Sequence, residues 1–147
     1  MTIAIGCDHG GYELKMQLIS FLMELGYNLE DLGCDSLDSV DYPTYGIAVG
    51  EAVSKNRAEY GIVICTTGIG ISIAANKVKG IRCALCTEPF LAEMSRRHND
   101  ANVLALGAKA VTVAKAKEIA KVWLSTEFEG GRHARRVGII TQYDNNR

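Results

Sequence analysis

The feature that most constrains the fold is a regular alternation of short apolar runs with longer amphipathic stretches. Four runs are almost continuously apolar, which is typical of strands buried on both faces of a sheet. They cover residues 3–5, 61–65, 82–86 and 102–106, and a weaker fifth run at 28–32 is more typical of an edge strand. Strands that alternate with helices predict βαβ units, and therefore a parallel sheet covered by helices on both faces.

Six amphipathic stretches predict the helices between these strands. The first is marked by Leu14, Leu18, Leu22 and Leu25 before Gly26, the second runs from Pro43 to Val53, and the third runs from the loop 68–70 to Asn76. The fourth begins at Glu88-Pro89, with Leu91, Met94 and His98 on one stripe, and the fifth is marked by Ala116, Ile119, Ala120 and Trp123. The last follows Gly130-Gly131 and is marked by Arg132, Arg136, Ile140 and Tyr143. No strand follows the last helix, so we expect this helix to pack on a neighbouring subunit.

Length, net charge and cysteine content limit the classes of protein to which this chain can belong. The chain has 147 residues, which fits one domain over residues 1–147. Its 16 Lys+Arg and 17 Asp+Glu give a net charge of -1, which argues against nucleic acid or a membrane surface as the main partner. No apolar run approaches the roughly 18 residues of a membrane span. Five cysteines, an odd number, favour reduced thiols in a cytoplasmic protein over a disulfide framework.

Ligands bind beyond the carboxyl ends of the strands in sheets of this kind. Asp8 and His9 follow the first strand, Cys65 and Thr67 end the third, and Lys109 follows the fifth; His98 and Asn99 lie just before the fifth. The sequence predicts that Asp8, His9, Cys65, Thr67, His98 and Asn99 converge on one edge of the sheet.

Cys65 ends a strand and directly precedes a glycine-rich turn into a helix. A helix N-terminus favours a thiolate, and the unpaired amides of residues 66–70 are suited to hold an oxyanion. A thiolate base beside an oxyanion site suits chemistry that passes through an enediolate. The alternative is a small buried cysteine that only fills the core.

Other known motifs are incomplete in this sequence or lie at positions that do not suit their chemistry. The dinucleotide fingerprint lacks its third glycine at Ile73, and the phosphate loop has Tyr12 in place of lysine. Ser72 nearly matches a hydrolase elbow but lies seven residues past Cys65, too far from the strand end. Cys83 and Cys86 form a C-x-x-C within a predicted strand, where residues three apart point to opposite faces, so core packing is favoured over redox chemistry. Cys34 lies in a polar loop and is predicted to have no partners.

Arg132 and Arg136 are four residues apart, so both guanidiniums leave the same helix face, which suits a phosphate dianion. A solvated basic patch is the alternative, because Arg135 is adjacent. His98 has an alternative as a half-buried core histidine. A metal site would need His9, His98 and Cys65 together, and no spacing demands it, so no metal is predicted.

Several blocks in order resemble the family of type B ribose-5-phosphate isomerases and galactose-6-phosphate isomerase subunits. The blocks span residues 6–10, 41–43, 65–77, 95–104 and 129–133, and the likeness covers nearly the whole chain. The resemblance implies a Rossmann-like three-layer α/β/α sandwich. It also implies a homodimer or tetramer with sites between subunits, no cofactor and a small sugar phosphate as ligand. The implied activity is aldose–ketose isomerisation through a cis-enediolate, in the pentose phosphate pathway.

The resemblance also implies a role for each matching residue. Cys65 would be the base, Thr67 and His98 would open the furanose ring, and the amides of Thr66, Gly68, Ile69 and Gly70 would stabilise the enediolate. The implied sugar-lining residues are Asp8, Tyr42 and Asn99, and the implied phosphate ligands are His9, Arg132 and Arg136, with Lys109 where some relatives have arginine.

The chain departs from the family pattern at three positions. Ile71 stands where one branch has a glutamate base, which leaves Cys65 as the base. Thr66 replaces a glycine, and Lys109 keeps a charge but not a bidentate fork. His98 and the residues 72–75 favour ribose 5-phosphate; allose 6-phosphate, galactose 6-phosphate and a non-catalytic sugar-phosphate-binding subunit stay as alternatives.

Overall fold

The five apolar runs form five strands in the computed structural model, which describes residues 1–147. The strands are β1 (Thr2–Cys7), β2 (Asn28–Asp31), β3 (Tyr60–Cys65), β4 (Cys83–Leu85) and β5 (Val103–Gly107). All pairs are parallel, and the order across the sheet is β2-β1-β3-β5-β4. The predicted five-stranded parallel sheet is therefore confirmed.

Six helices connect or follow the strands. They are α1 (Tyr12–Glu24), α2 (Tyr42–Ser54), α3 (Ile69–Asn76), α4 (Pro89–Arg97), α5 (Val113–Ser125) and α6 (Arg132–Asn145). A short 3-10 turn, His9–Gly11, precedes α1. A proline occupies the first turn of α2 and of α4, where its missing N–H leaves no helical bond unmade.

The strands bury both faces, and successive side chains alternate between two cores. On one face, Ile5 packs with Leu18 of α1 and Trp123 of α5. On the other face, Ala4 packs with Val49 of α2 and with α3. Helices α1, α4 and α5 thus cover one side and α2 and α3 the other, which confirms the three-layer α/β/α sandwich.

The strand predicted at 82–86 differs from the expectation. β4 is shorter, lies at the sheet edge, and is half-buried rather than buried, because it has a neighbouring strand on one side only. The run at 28–32 forms the opposite edge, as predicted. Cys83 packs toward the α2–α3 core and Cys86 toward the other, and both thiols are free. Core packing of this C-x-x-C is confirmed.

The face of α4 that contacts the core is also different from the one predicted. Leu91 is exposed, and Met94 and His98 are only partly buried, whereas Ala92, Ser95 and Arg96 point inward. The Arg96 guanidinium donates to the carbonyls of Ala101 (2.6 Å) and Thr126 (3.2 Å) and to the Tyr60 hydroxyl (2.9 Å). These bonds satisfy a buried charge, which turns this face of α4 inward.

Helix α6 contacts the sandwich through few of its residues. Only His133 and Val137 are buried in it, while Ile140 and Tyr143 are 52% and 77% exposed. Arg132, Arg136, Ile140 and Tyr143 share one exposed face, as the spacing predicts. That α6 packs on a second subunit stays a prediction. No helix has the length and apolar character that crossing a membrane requires.

Candidate functional site

The carboxyl ends of β1 and β3 meet at a switch point of the sheet. From β1 the chain crosses over α1 to β2, and from β2 it returns over α2, on the opposite face, to β3. The loops after β1 and β3 therefore diverge and leave a crevice between them. Asp8 follows β1, Cys65 ends β3, and Lys109 follows the neighbouring β5, so these three side chains belong to one edge.

Asp8 and His9 are fixed by short hydrogen bonds. The buried Asp8 carboxylate accepts from the amides of Gly10 (2.9 Å) and Gly11 (3.2 Å). Nδ1 of His9 accepts from the Val40 amide at 3.1 Å. A neutral His9 therefore carries its proton on Nε2, which is left as a donor for a ligand.

Cys65 lies directly under the loop that starts α3. Its side chain is only 5% exposed, and Sγ accepts a hydrogen bond from the Gly68 amide at 3.1 Å. A thiolate accepts such a bond more strongly than a thiol does. The arrangement suits a sulfur that carries negative charge during part of a reaction.

The loop after Cys65 presents several amides without an acceptor in the chain. The Ile69 amide is bonded to Oγ1 of Thr67 at 3.2 Å, but the amides of Thr66, Thr67 and Gly70 have no such partner. They lie at the N-terminus of α3, where the helix dipole adds positive potential. The arrangement therefore suits the binding of an oxyanion beside the Cys65 sulfur.

Two close approaches hold the loop in place. Gly68 has φ +79°, and a Cβ there would lie 2.5 Å from Leu85 Cδ1. At Gly70 a Cβ would lie 2.6 Å from the Tyr42 ring, so the ring rests directly on the backbone of the loop. Tyr42, the first residue of α2, thus lies against the loop that follows Cys65. The Lys109 amide donates to the Thr66 carbonyl at 2.9 Å, and its ammonium forms no ion pair within the chain.

Four of the predicted site residues lie away from this crevice: His98, Asn99, Arg132 and Arg136. His98 ends α4, just before β5 begins, and the Asn99 carbonyl accepts from Arg82 Nε at 3.0 Å, just before β4 begins. These residues are therefore at the amino edge of the sheet, about 16 Å from the carboxyl edge along strands of five or six residues. Within one chain, the expectation that His98 and Asn99 converge with Cys65 is wrong.

The amino-edge group also contains two residues that sequence reasoning did not single out, Glu129 and His133. The imidazoles of His98 and His133 stack with ring centroids 4.1 Å apart and planes 10° apart. Burial lowers the pKa of His133, and the charges of His98, Arg132 and Arg136 lower it further, against an opposing effect of Glu129. The sequence signal for this pair was present, since His133 follows Arg132 in a resembling block, but the stack depends on packing between α4 and α6.

The same three side chains form the one cluster with metal-binding potential. Ligand atoms of His98, Glu129 and His133 lie within 4.8 Å of one another. Stacked rings direct their nitrogen lone pairs along parallel planes, whereas a tetrahedral site needs them to converge on one point. The set first considered for a metal, His9, Cys65 and His98, is divided between the two edges.

Cys34 corrects a further expectation. It is buried, its Sγ is 3.9 Å from Sγ of Cys7, and its carbonyl accepts from Nζ of Lys15 at 2.7 Å. The loop that contains Cys34 is therefore packed against the core, although its sequence is polar. Ser72, in contrast, donates its hydroxyl to the Ile69 carbonyl at 2.7 Å within α3, away from any strand-end turn, so it is not an elbow serine.

The fold and the crevice define an α/β protein with a thiol beside a loop of unpaired amides, and the comparisons place it in a family. The family described as Ribose/Galactose Isomerase matches residues 3–140. The chain is 48% identical over 145 residues to ribose-5-phosphate isomerase B of Escherichia coli (strain K12), over 99% of this chain and 97% of that protein. It is 49% identical over 145 residues to a putative sugar phosphate isomerase of Bacillus subtilis (strain 168), over 98% and 97%. The chain belongs to the ribose/galactose isomerase family, which confirms the resemblance.

Solved structures give the same result. The structure of ribose-5-phosphate isomerase B from Clostridium thermocellum superposes with a TM-score of 0.98 at 53% identity, over 99% of both chains. The Mycoplasma genitalium enzyme, solved with bound ribulose-5-phosphate, superposes with a TM-score of 0.96 at 39% identity, over 99% of this chain and 97% of that one.

Proposed function

We propose that this protein interconverts D-ribose 5-phosphate and D-ribulose 5-phosphate through a cis-enediolate. The observation that carries the proposal is the buried Cys65 sulfur under a loop whose amides at Thr66, Thr67 and Gly70 have no acceptor. A base and an oxyanion site side by side are what enolisation next to a carbonyl requires. The relatives named for this activity, and the one that binds ribulose-5-phosphate, support the choice of substrate.

The proton transfer follows from this placement. The Cys65 thiolate removes the C2 proton of the open-chain aldose, and the resulting enediolate places its negative charge on O1, within reach of the loop amides. The same sulfur returns the proton to C1, and the O2 proton moves to O1, so the ketose forms without loss or gain of atoms. The Gly68 amide, at 3.1 Å from Sγ, stabilises the sulfur whenever it is charged.

The aldose is a closed furanose in solution, so its ring has to open first. Opening requires a proton for the ring oxygen and removal of the proton from O1. We assign these transfers to Thr67 and His98. The Thr67 hydroxyl belongs to the carboxyl-edge loop, whereas His98 belongs to the amino edge.

A second copy of the chain removes this separation. We propose a homodimer in which the amino-edge residues His98, Asn99, Arg132 and Arg136 of one copy face the carboxyl-edge crevice of the other. The exposed Ile140 and Tyr143 on α6 support this, as does a groove of about 460 Å³ between α6 and the start of β4. Apolar side chains grouped on one face mark a surface that a partner covers.

The phosphate is then held from both copies. Arg132 and Arg136 are exposed on one face of α6 and make no ion pair within their own chain. His9 and Lys109 follow β1 and β5 at the carboxyl edge, and Nε2 of His9 makes no hydrogen bond within the chain. Two guanidiniums four residues apart match a dianion, and the dianion anchors a substrate that is otherwise neutral.

The chemistry uses side chains and amides of the protein alone, so the proposal needs no metal and no organic cofactor. All five cysteines are free, which suits a reducing compartment such as the cytoplasm. Cys65 has to stay reduced in order to act as a base.

The test follows ribulose 5-phosphate formation from ribose 5-phosphate in chelator-treated protein, for the wild type and for Cys65→Ala. We expect turnover in the wild type, and at least about 10³-fold less in Cys65→Ala at similar substrate affinity, because only the proton transfer is removed. Cys83→Ala is the matched control, since Cys83 is a free thiol at the amino end of an edge strand. It should turn over at the wild-type rate.

Two results would contradict the proposal. Full activity in Cys65→Ala would exclude Cys65 as the base. A folded wild type without activity toward ribose 5-phosphate would exclude this substrate; the same assay with allose 6-phosphate and galactose 6-phosphate would then separate a six-carbon isomerase from a sugar-phosphate-binding protein.

A further inference from the structure

We propose that His133 is a positioning residue that fixes the imidazole plane of His98 for ring opening. This inference rests on the proposed function, in which His98 transfers a proton to or from the furanose. The two rings lie 4.1 Å apart and are nearly parallel, at 10°. A proton-transfer group works only when its nitrogen is held within hydrogen-bond reach of the substrate atom.

His98 depends on this contact for its orientation. It is the residue at which α4 ends, and its imidazole forms no hydrogen bond within the chain. His133 is the aromatic ring that covers it. Without the stack, no hydrogen bond or ion pair within the chain would restrain the two side-chain torsions of His98.

His133 itself is held firmly. It is 5% exposed, and Val137 is the other buried residue of α6. Nε2 of His133 lies 3.7 Å from Oε1 of Glu129, whose other oxygen accepts from Arg97 at 3.1 Å. The Glu129 amide also donates to the Arg97 carbonyl at 3.0 Å. Because Arg97 directly precedes His98, this chain of contacts ties the end of α4 to the start of α6 and holds the two rings together.

The charges around His133 favour its uncharged form, which suits a residue whose role is to pack against His98. Arg132 and Arg136 on α6 and His98 on α4 face it, and with burial they favour the uncharged ring, whereas Glu129 opposes them. An uncharged His133 does not compete with the arginines for a phosphate. Nε2 is buried and has no hydrogen-bond partner, so the ring acts through its flat face rather than through this nitrogen. The nearby arginines and the parallel ring planes also argue against a bound cation.

Two substitutions of His133 distinguish a role of the flat face of its ring from a role of its ring nitrogens. His133→Leu fills the buried space without a flat ring, and His133→Phe keeps the ring without nitrogen. With ribose 5-phosphate we expect kcat of His133→Leu to fall about 10- to 100-fold, as for a catalytic group misplaced by about 1 Å, with little change in KM. His133→Phe should keep most of the wild-type kcat. Thermal unfolding is measured on both, and His133→Gln replaces His133→Leu if the latter does not fold.

A double-mutant cycle distinguishes positioning from a general structural role. In the His98→Ala background, His133→Leu should cause no further loss, because there is no ring left to position. An additional loss of equal size in that background would overturn the proposal, and so would a His133→Phe as inactive as His133→Leu. Full activity of His133→Leu would also overturn it. A wild type that is inactive, or a fully active His98→Ala, would instead contradict the proposed function on which the inference rests.

Discussion

Cys65 Sγ and the Gly68 amide are 3.1 Å apart, and this contact connects the end of a buried strand to the first turn of a helix. Gly68 adopts φ +79°, a left-handed conformation, at the point where the chain enters α3. A side chain at residue 68 would disfavour this backbone conformation and would meet the neighbouring strand. The contact of Cys65 and the conformation of the loop thus depend on one glycine.

Replacing Gly68 is expected to abolish activity. In Gly68→Ala, the new Cβ lies 2.5 Å from Leu85 Cδ1 and 2.8 Å from the Leu106 carbonyl carbon, in addition to the cost of the positive φ. We expect kcat to fall at least about 100-fold, as when an oxyanion donor is lost, with a lower melting temperature. Gly26→Ala is the control, because Gly26 has φ +94° and open space around its Cβ position. A normal kcat in Gly68→Ala would show that the reaction does not depend on the backbone conformation of this glycine.

The two exposed arginines of α6 are expected to act on binding. Arg136→Ala should raise KM for ribose 5-phosphate at least about 10-fold with a smaller effect on kcat, because a charge-assisted bidentate bond to phosphate contributes about 1.5–3 kcal/mol. Arg136→Lys should recover part of the affinity. Steady-state kinetics beside Arg135→Ala, an exposed neighbour on another face of the helix, checks this. Equal KM values for Arg136→Ala and Arg135→Ala would remove the phosphate role.

The sequence was sufficient to predict which segments are strands, but not where each strand lies in the sheet. Residues 83–86 are continuously apolar, as residues 61–65 are, yet β4 is an edge strand and β3 is central. Strand order depends on which face each crossover helix covers, and that is decided by contacts between distant segments. Cys34 shows the same limit, because its polar neighbours in sequence give no sign that Lys15 and Cys7 enclose it.

The rule about strand ends succeeded for residues that follow a strand and failed for residues that precede one. Asp8, Cys65 and Lys109 come directly after strands and share the carboxyl edge. His98 and Asn99 come at the end of a helix, so the chain has already returned to the amino edge before β5 begins. The resemblance assigned them to the same site, and the proposed homodimer reconciles this assignment with the geometry.

The buried lysine is expected to control stability through Asp31. Lys15 is fully buried, and its ammonium contacts Oδ1 of Asp31 at 2.6 Å. Asp31→Ala should lower the free energy of unfolding by about 2–3 kcal/mol, since it leaves a buried charge without its counterion, whereas Lys15→Met should cost less. Glu51→Ala is the matched control, because its pair with Lys55 has the same 2.6 Å distance but is exposed, and its loss should change stability little. Denaturant unfolding measures all three, and equal effects of Asp31→Ala and Glu51→Ala would contradict this account.

Subunit complementation is expected to show whether the two edges work together. Cys65→Ala damages the carboxyl edge, and His98→Ala damages the amino edge. If the site is shared between copies, a mixed dimer has one site with both defects and one site with neither. Random mixing makes half of the dimers mixed, so co-expression of the two variants should recover about a quarter of the wild-type activity. That fraction applies to the unseparated mixture, and mixed dimers isolated through differently tagged subunits should have about half of the wild-type activity.

The control for complementation is a pair of variants on the same edge. Cys65→Ala mixed with Gly68→Ala leaves a damaged carboxyl edge in every site, so no activity should return in their mixed dimers. Substitution of Tyr143→Arg, on the exposed face of α6, should give monomers by light scattering and abolish turnover while each chain stays folded. If Cys65→Ala and His98→Ala form mixed dimers without recovered activity, each site lies within one chain, and a rearrangement of α4 and α6 would then have to bring His98 to Cys65.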